Sequence, residues 1–123
     1  RNGCVDGFLS LAALENEYFS TTQTKLDIQA IADAADASDL VAESVLQTLD
    51  DRIGRTTATI INMFDPEVII LGGRIAELNR LYLNVPRKWP GYLLIKQSET
   101  KLLKATNDPF SLAQGAACLA AAY

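Results

Sequence analysis

The run from Ile60 to Gly73 constrains the fold of this chain more than any other stretch. It reads Ile-Ile-Asn-Met-Phe-Asp-Pro-Glu-Val-Ile-Ile-Leu-Gly-Gly. A helix is expected to end near Phe64, because Pro66 has no amide proton and disfavours helical angles at the residue before it. The next residues, 68–71, are apolar without interruption, which is typical of a strand covered on both faces. The sequence therefore predicts a central strand in an α/β layer structure.

Gly72 and Gly73 follow this strand directly. Open α/β sheets bind ligands at the carboxyl ends of their strands, and glycine lets a phosphate or nucleoside approach the main chain closely. A glycine pair after a strand is also typical of a plain turn. This pattern alone leaves both interpretations open.

The composition is that of one globular domain. The 123 residues are 49% hydrophobic and carry a net charge of -4, with the basic residues dispersed along the chain. Nucleic-acid binding would need a concentrated basic face, so this segment is not expected to bind nucleic acid. No apolar run is long enough to cross a membrane and no signal peptide is visible. We expect no membrane association and a cytoplasmic location.

Hydrophobic periodicity predicts a helix-rich order of elements around a small central sheet. The third helix is expected to be the longest, with Ser38 as its N-cap and Asp39 adding negative charge at its amino end. The expected helices cover residues 5–19, 27–35, 40–64, 75–83 and 111–123, and the expected strands cover 68–71 and 100–105. This order predicts one α/β domain, or half of a two-lobed one.

Two features of the third helix carry expectations about packing. Gly54 lies in mid-helix, where it costs up to about 1 kcal/mol relative to Ala, so close packing on a neighbour is expected. Asp50, Asp51, Arg52 and Arg55 are expected to form a solvated face with weak ion pairs.

The residues exclude several kinds of chemistry. The chain contains no His, so it supplies no His-based triad, general base or metal ligand. It also lacks a glycine-flanked Ser elbow, a Walker-A loop and a spaced glycine fingerprint. Cys4 and Cys118 are far apart in sequence and do not indicate a disulfide framework, and Cys118 is expected to be a small core residue.

A succession of motifs resembles the C-terminal part of the ROK family, which contains bacterial sugar kinases and sugar-responsive repressors. The Asp-Pro-Glu-Val-Ile-Ile-Leu-Gly-Gly run is the most specific of them, and the Arg-Leu-Tyr stretch is most similar to the fructokinase and N-acetylglucosamine kinase branch. The matching segments are 3–6, 51–52, 60–62, 65–73, 80–82 and 115–117. The resemblance implies an actin-like ATPase fold, which is ribonuclease H-like. Because the chain starts at Arg1 without an initiating Met, we expect it to be the C-terminal lobe, residues 1–123, of a longer protein.

The resemblance also implies roles for particular residues. Cys4 matches the last cysteine of a structural zinc motif whose other ligands would precede the chain, and a lone Cys cannot build a tetrahedral zinc site. Asp6 stands where the family has a Glu that contacts a sugar hydroxyl. Gly72 and Gly73 match the glycines beside the nucleotide, where a helix starting near Ile75 would offer free amides.

Three residues depart from the family pattern. Arg74 replaces a third glycine, Asn107 stands where a Gly precedes Asp108, and Leu11 takes the place of a Gly after Ser10. The resemblance places the catalytic aspartate in a segment that precedes this chain, so we expect no catalytic residue within it.

The sequence is thus interpreted as part of an ATP- and Mg-dependent hexose or amino-hexose kinase that forms homodimers. Two alternatives stay open. The chain could be the sugar-sensing lobe of a ROK transcriptional repressor, or a non-catalytic interaction domain in which the glycines are only turns. The identity of the sugar does not follow from these residues.

Overall fold

The computed structural model describes residues 4–94, 99–105 and 116–122. Within them the chain forms four strands, four α-helices and two short 3₁₀ turns. In chain order these are β1 (Cys4–Ser10), α1 (Leu11–Thr22), α2 (Ile28–Asp36), α3 (Leu40–Phe64), β2 (Val68–Gly72), a 3₁₀ turn (Arg74–Glu77), α4 (Arg80–Lys88), a second 3₁₀ turn (Trp89–Gly91), β3 (Lys101–Lys104) and β4 (Ala116–Ala122). The fold is α/β and helix-rich with a small parallel sheet, as predicted.

The four strands form one parallel sheet in the order β1-β4-β2-β3. In β2, the exposed fractions of Ile69, Ile70 and Leu71 are 0%, 5% and 0%. Successive side chains of a strand point to opposite faces, so β2 is covered on both of them. The central strand predicted from the uninterrupted apolar run is confirmed.

Helices α2 and α3 both begin at an aspartate whose carboxylate accepts hydrogen bonds from free amides of the first turn. Asp27 caps α2 by accepting a hydrogen bond from the Ala30 amide, as expected. For α3 the N-cap is Asp39, whose carboxylate accepts from the amides of Val41 and Ala42. The prediction of Ser38 as the cap is wrong, because Ser38 lies in the left-handed turn that closes α2, with φ of 75°.

The core lies between the sheet and the helices, and α3 contributes most to it. Its buried apolar residues repeat at helical spacing, whereas Leu40 and Phe64 at the two ends of the predicted stripe are exposed. The buried α3 stripe contains Val45, Leu46, Leu49, Ile53, Ile60 and Ile61. It packs in one cluster with residues of α1, α2, β2 and α4, among them Leu14, Ile31, Leu71 and Leu81.

Parts of two predicted helices are strands. Residues 5–10, expected to open the first helix, belong to β1, and the helix begins only at Leu11. Residues 116–122, expected to be helical because Ala favours helices, form β4. Pairing with β1 on one side and β2 on the other outweighs an intrinsic preference that amounts to a fraction of a kcal/mol per residue. The remainder of that predicted helix, 111–115 and 123, lies outside the described residues.

The helix predicted for residues 75–83 is interrupted. Leu78 has an extended backbone with φ of -87° and ψ of 99°, and it separates the first 3₁₀ turn from α4. Because Leu78 is buried, its packing favours this break. Helix α4 then continues through Pro86 to Lys88, beyond the predicted end.

Candidate functional site

The glycine pair lies at the carboxyl end of β2, as predicted. Gly72 ends the strand and is half-buried, and Gly73 is exposed. Gly73 has φ of 75° and ψ of -159°, a conformation that only glycine adopts without strain. Apart from its two chain neighbours, no described residue has an atom within 4 Å of a Cβ added to Gly72, so the space beside its α-carbon is open in this part of the chain. The main chain here can be approached by a ligand.

The register of the sheet brings the predicted sugar contact and the predicted nucleotide contact onto one row. Asp6 of β1 is the partner of Ala120 in β4, and Ala120 is the partner of Gly72 in β2. Neighbouring strands lie about 4.8 Å apart, so the α-carbons of Asp6 and Gly72 are separated by roughly 10 Å. These two residues are distant in sequence, and their common level is a property of the tertiary structure.

Cys4 lies two residues before Asp6 on β1. Its partner in β4 is Cys118, whose partner in β2 is Ile70. Among the described residues there is no group of three or more His, Cys, Asp or Glu side chains that could hold a metal ion. The donor set in this part of the chain therefore does not fit the tetrahedral zinc site that the resemblance implies.

The segment after the glycines is fastened to the helices. The guanidinium of Arg74 donates to Oε2 of Glu15 on α1, and the same oxygen accepts the amide hydrogen bond of Ile28 at 2.7 Å. Ile28 is the first residue of α2, whose amino end favours a carboxylate. One carboxylate oxygen thus links α1, α2 and the residue next to Gly73.

The helix expected near Ile75 is the 3₁₀ turn Arg74–Glu77, in which the Ala76 amide donates to the carbonyl of Gly73 at 3.2 Å. Lys104 at the end of the neighbouring strand β3 pairs with Glu77 at 2.9 Å. The turn contains four residues, so the long row of amides at the start of an α-helix is not formed here. What the loop offers a ligand is accessible glycine backbone.

Four cavities are described in this part of the chain, and neither Gly72 nor Gly73 lines any of them. One of these cavities has a volume of about 330 Å³ and is lined by Glu15, the partner of Arg74. Its other lining residues come from α1 and the connection to α2, and include Phe19 and Lys25.

A second polar cluster lies between α3 and α4, and sequence reasoning missed it. Asp50 is only 2% exposed, and its Oδ2 accepts from Arg80 at 2.8 Å and from Asn84 at 3.1 Å. Arg80 also makes two bonds of 3.0 Å to the carboxylate of Glu43. The hydrogen bonds from Arg80 lower the pKa of Glu43, and those carboxylates in turn hold the pKa of Arg80 above its ordinary value.

The expected solvated face on α3 is therefore wrong for Asp50 and right for Asp51, which forms an exposed pair with Arg55 at 2.6 Å. A signal for the burial of Asp50 exists in the sequence. It lies four residues after Leu46 and three before Ile53, within the apolar stripe rather than beside it. Its partner Arg80 comes from a different element, which spacing along α3 does not reveal.

No helix among the described residues is long and apolar enough to cross a membrane.

Comparison with known proteins agrees with the motifs. The family model described as "ROK family" matches residues 1–123. The chain is 27% identical over 120 residues to an N-acetyl-D-glucosamine kinase of Aliivibrio salmonicida, which covers 95% of this chain and 39% of that protein. It is 28% identical over 122 residues to the enzyme of the same name from Vibrio parahaemolyticus, with 97% and 39% covered.

The chain is also similar to a regulator. It is 29% identical over 90 residues to the DNA-binding transcriptional dual regulator NagC of Escherichia coli K12, which covers 66% of this chain and 22% of that protein. The chain thus spans 39% of the length of the two kinases and less of the regulator.

Proposed function

Because this chain belongs to the ROK family, we propose that it is the C-terminal lobe, residues 1–123, of an ATP-dependent sugar kinase with an actin-like ATPase fold. The substrate class is a hexose or amino-hexose, since relatives along most of the chain are named N-acetyl-D-glucosamine kinases. We place this kinase in the cytoplasm, where ATP is available.

The observation that supports a kinase best is the row Asp6, Ala120, Gly72. A sugar contact and a nucleotide contact roughly 10 Å apart at one level of a sheet leave room between them for a phosphate chain. Backbone amides at Gly72, which has open space beside its α-carbon, and at the exposed Gly73 would donate hydrogen bonds to phosphate oxygens. Asp6 would accept a hydrogen bond from a sugar hydroxyl.

In the proposed reaction, a sugar hydroxyl oxygen attacks the γ-phosphorus of Mg-ATP. The bond between that phosphorus and the bridging oxygen breaks, ADP leaves with the electron pair, and the hydroxyl proton passes to a base. Catalysis of this kind consists mainly of positioning and charge stabilisation. The base is assigned to a segment outside these residues, so this lobe supplies positioning and is inactive alone.

Gly72→Ala tests the nucleotide role without disturbing the fold. The added Cβ meets no atom of another described residue within 4 Å beyond its chain neighbours, so the variant should unfold at the wild-type temperature. If the nucleotide rests on this backbone, the same methyl group will hold it away, and we expect the Kd for Mg-ATP to rise at least about tenfold, as when one charge-assisted hydrogen bond is lost. The measurement is isothermal titration calorimetry on the full-length protein.

Gly91→Ala is the matched control, because a Cβ at Gly91 also meets no described residue within 4 Å beyond its chain neighbours, and Gly91 belongs to the second 3₁₀ turn. It should bind Mg-ATP as the wild type does. Equal Mg-ATP affinity in wild type and Gly72→Ala would remove the nucleotide role of the glycine pair. A flat trace for the wild type would favour the non-catalytic interaction domain.

The alternative function is that of a repressor lobe that senses a sugar, and the similarity to NagC favours it. A repressor would bind the sugar in this lobe and its operator DNA through an upstream helix-turn-helix. It would not consume ATP. Measuring ADP release with N-acetyl-D-glucosamine and DNA binding on the same full-length sample separates the two.

We also propose a homodimer, for which the exposed Leu40, Met63 and Phe64 of α3 are available as an apolar contact surface. Analytical ultracentrifugation would test it.

A further inference from the structure

The conformation of the glycine pair has to be maintained from outside the pair. Gly72 and Gly73 have no side chains that could pack, and glycine populates left- and right-handed backbone angles about equally. On the strand side, the ladder between β2 and its neighbours holds Gly72 opposite Ala120. On the other side, Arg74 is the first residue whose side chain can hold the peptide that follows Gly73.

The side chain of Arg74 is held by Glu15. The two form an ion pair in which the Arg74 side chain is 33% exposed and that of Glu15 is 19% exposed. The Glu15 oxygen is itself fixed by the amide of Ile28 at 2.7 Å, at the start of a helix that is capped and packed in the core. Glu15, which holds Arg74, is therefore itself held in place by the amino end of α2.

Buried Ile75 and Ala76 hold the 3₁₀ turn in the core, with exposed fractions of 0% and 4%. Together with the hydrogen bond from the Ala76 amide to the Gly73 carbonyl they fix the turn, and the Arg74 side chain adds an anchor at the residue next to Gly73. The positive charge of Arg74 is compensated by Glu15, so this arginine is arranged to hold backbone rather than to present a free cation.

We propose that the Glu15–Arg74 pair positions the Gly72–Gly73 backbone for the nucleotide. Glu15 and Arg74 are then positioning residues rather than catalytic ones. This inference rests on the nucleotide role proposed above for the glycine pair. It also gives Arg74, which departs from the family's glycine pattern, a partner on α1.

Glu15→Gln tests the proposal in the full-length protein. Glutamine keeps an oxygen for the Ile28 amide but removes the charge that holds Arg74. We expect the KM for ATP to rise about fivefold, the size of effect that a partly exposed ion pair can supply. The kcat and the KM for the sugar should stay unchanged, because the substitution alters neither the proposed sugar contact at Asp6 nor any group that contacts the reacting atoms.

The matched control is Glu77→Gln. It removes the same charge and breaks the ion pair between Glu77, in the same 3₁₀ turn as Arg74, and Lys104. Both side chains of this pair are more exposed than those of Glu15 and Arg74. Its KM for ATP should equal that of the wild type. If Glu15→Gln lowers the unfolding temperature while the KM for ATP stays at the wild-type value, the pair is only structural and the proposal is overturned.

A double-mutant cycle with Arg74→Gln separates positioning from direct contact. If both residues act through their pair, Arg74→Gln and the double variant should each raise the KM for ATP by the same factor as Glu15→Gln. If Arg74→Gln has a larger effect that multiplies with that of Glu15→Gln, Arg74 contacts the nucleotide itself and the proposal is wrong. A wild-type protein that does not bind ATP would instead refute the proposed function, and this inference with it.

Discussion

At the scale of single residues, the buried hydroxyl of Thr57 shows how one polar atom joins two elements. It donates to the carbonyl of Ile53 at 2.7 Å and accepts from Trp89 Nε1 at 2.7 Å, with both side chains buried. Trp89 begins the second 3₁₀ turn, so this bond fastens that turn to the middle of α3. A buried indole N–H without an acceptor would be costly.

Thr57→Val should therefore destabilise the protein by about 1–3 kcal/mol, because it leaves the Trp89 N–H buried and unpaired. Valine has nearly the same shape and helix propensity as threonine, so packing and helix formation change little. The free energy of unfolding is to be measured with urea, using the fluorescence of Trp89, the single tryptophan.

Thr59→Val is the control for this prediction. Thr59 makes the same kind of bond to a carbonyl four residues earlier, that of Arg55 at 2.9 Å, but it is exposed on the helix. Its loss should change the free energy of unfolding by less than about 0.5 kcal/mol. Equal effects of the two substitutions would show that the bond to Trp89 contributes nothing.

At the scale of elements, α3 and α4 pack closely along a polar seam. The seam begins with Glu43, Asp50 and Arg80, and at its other end the side chain of Lys88 lies over Gly54. A Cβ at Gly54 would be 3.1 Å from Cβ and 3.2 Å from Cδ of Lys88. The close packing expected at the mid-helix glycine is confirmed.

Gly54→Ala sets two effects against each other. Alanine favours the helix by up to about 1 kcal/mol, whereas overpacking costs about 1–3 kcal/mol. The contact to Lys88 Cβ lies close to the α4 backbone and cannot be relieved by rotating the side chain. We expect a net loss of about 1 kcal/mol in urea unfolding, and a more stable variant would contradict the close approach of the two helices.

At the scale of the whole molecule, the carboxylates on and next to α3 make the free energy of unfolding depend on pH. Hydrogen bonds from Tyr18 and the Ala42 amide lower the pKa of Asp39, and bonds from Tyr92 and Arg55 lower that of Asp51. With Glu43 these groups bind α1, α4 and the segment after α4 to the central helix. Folding therefore favours their deprotonated forms.

Because the folded-state pKa values are below the ordinary ones of 3.8 and 4.5, the stabilisation is complete above the ordinary values. It is lost as the pH falls through the folded-state values. The free energy of unfolding should be nearly constant from about pH 7 to pH 5 and should decline steadily below about pH 4.5. Urea titrations monitored by Trp89 fluorescence at several pH values measure this decline.

Glu43→Gln should flatten this decline, because one carboxylate with a lowered pKa is removed. Glu99→Gln, which removes the same charge at an exposed residue near the amino end of β3, is the comparison variant. A free energy of unfolding that rises as the pH falls from about 5 to 3 would contradict the assignment.

Several predictions that rested on local chemistry were confirmed by the structure, although the Ser38 cap was not. The Asp27 cap, the end of α3 before Pro66 and the buried β2 followed by Gly72 and Gly73 each depend on residues a few positions apart. Such signals can be recognised in a single segment, because capping, proline geometry and hydrophobic periodicity act over one or two turns.

By itself, then, the sequence determined the helix-rich α/β class, the central apolar strand, the position of the glycine pair at its end and the family motifs. Only the tertiary structure decided that 116–122 is a strand, that Asp50 is buried against Arg80, that Glu15 holds Arg74 and that Asp6 shares a row with Gly72. Each of these depends on a partner far away in the chain. Pairing and burial by such partners outweigh local preferences of less than about 1 kcal/mol per residue, and no pattern within one segment records them.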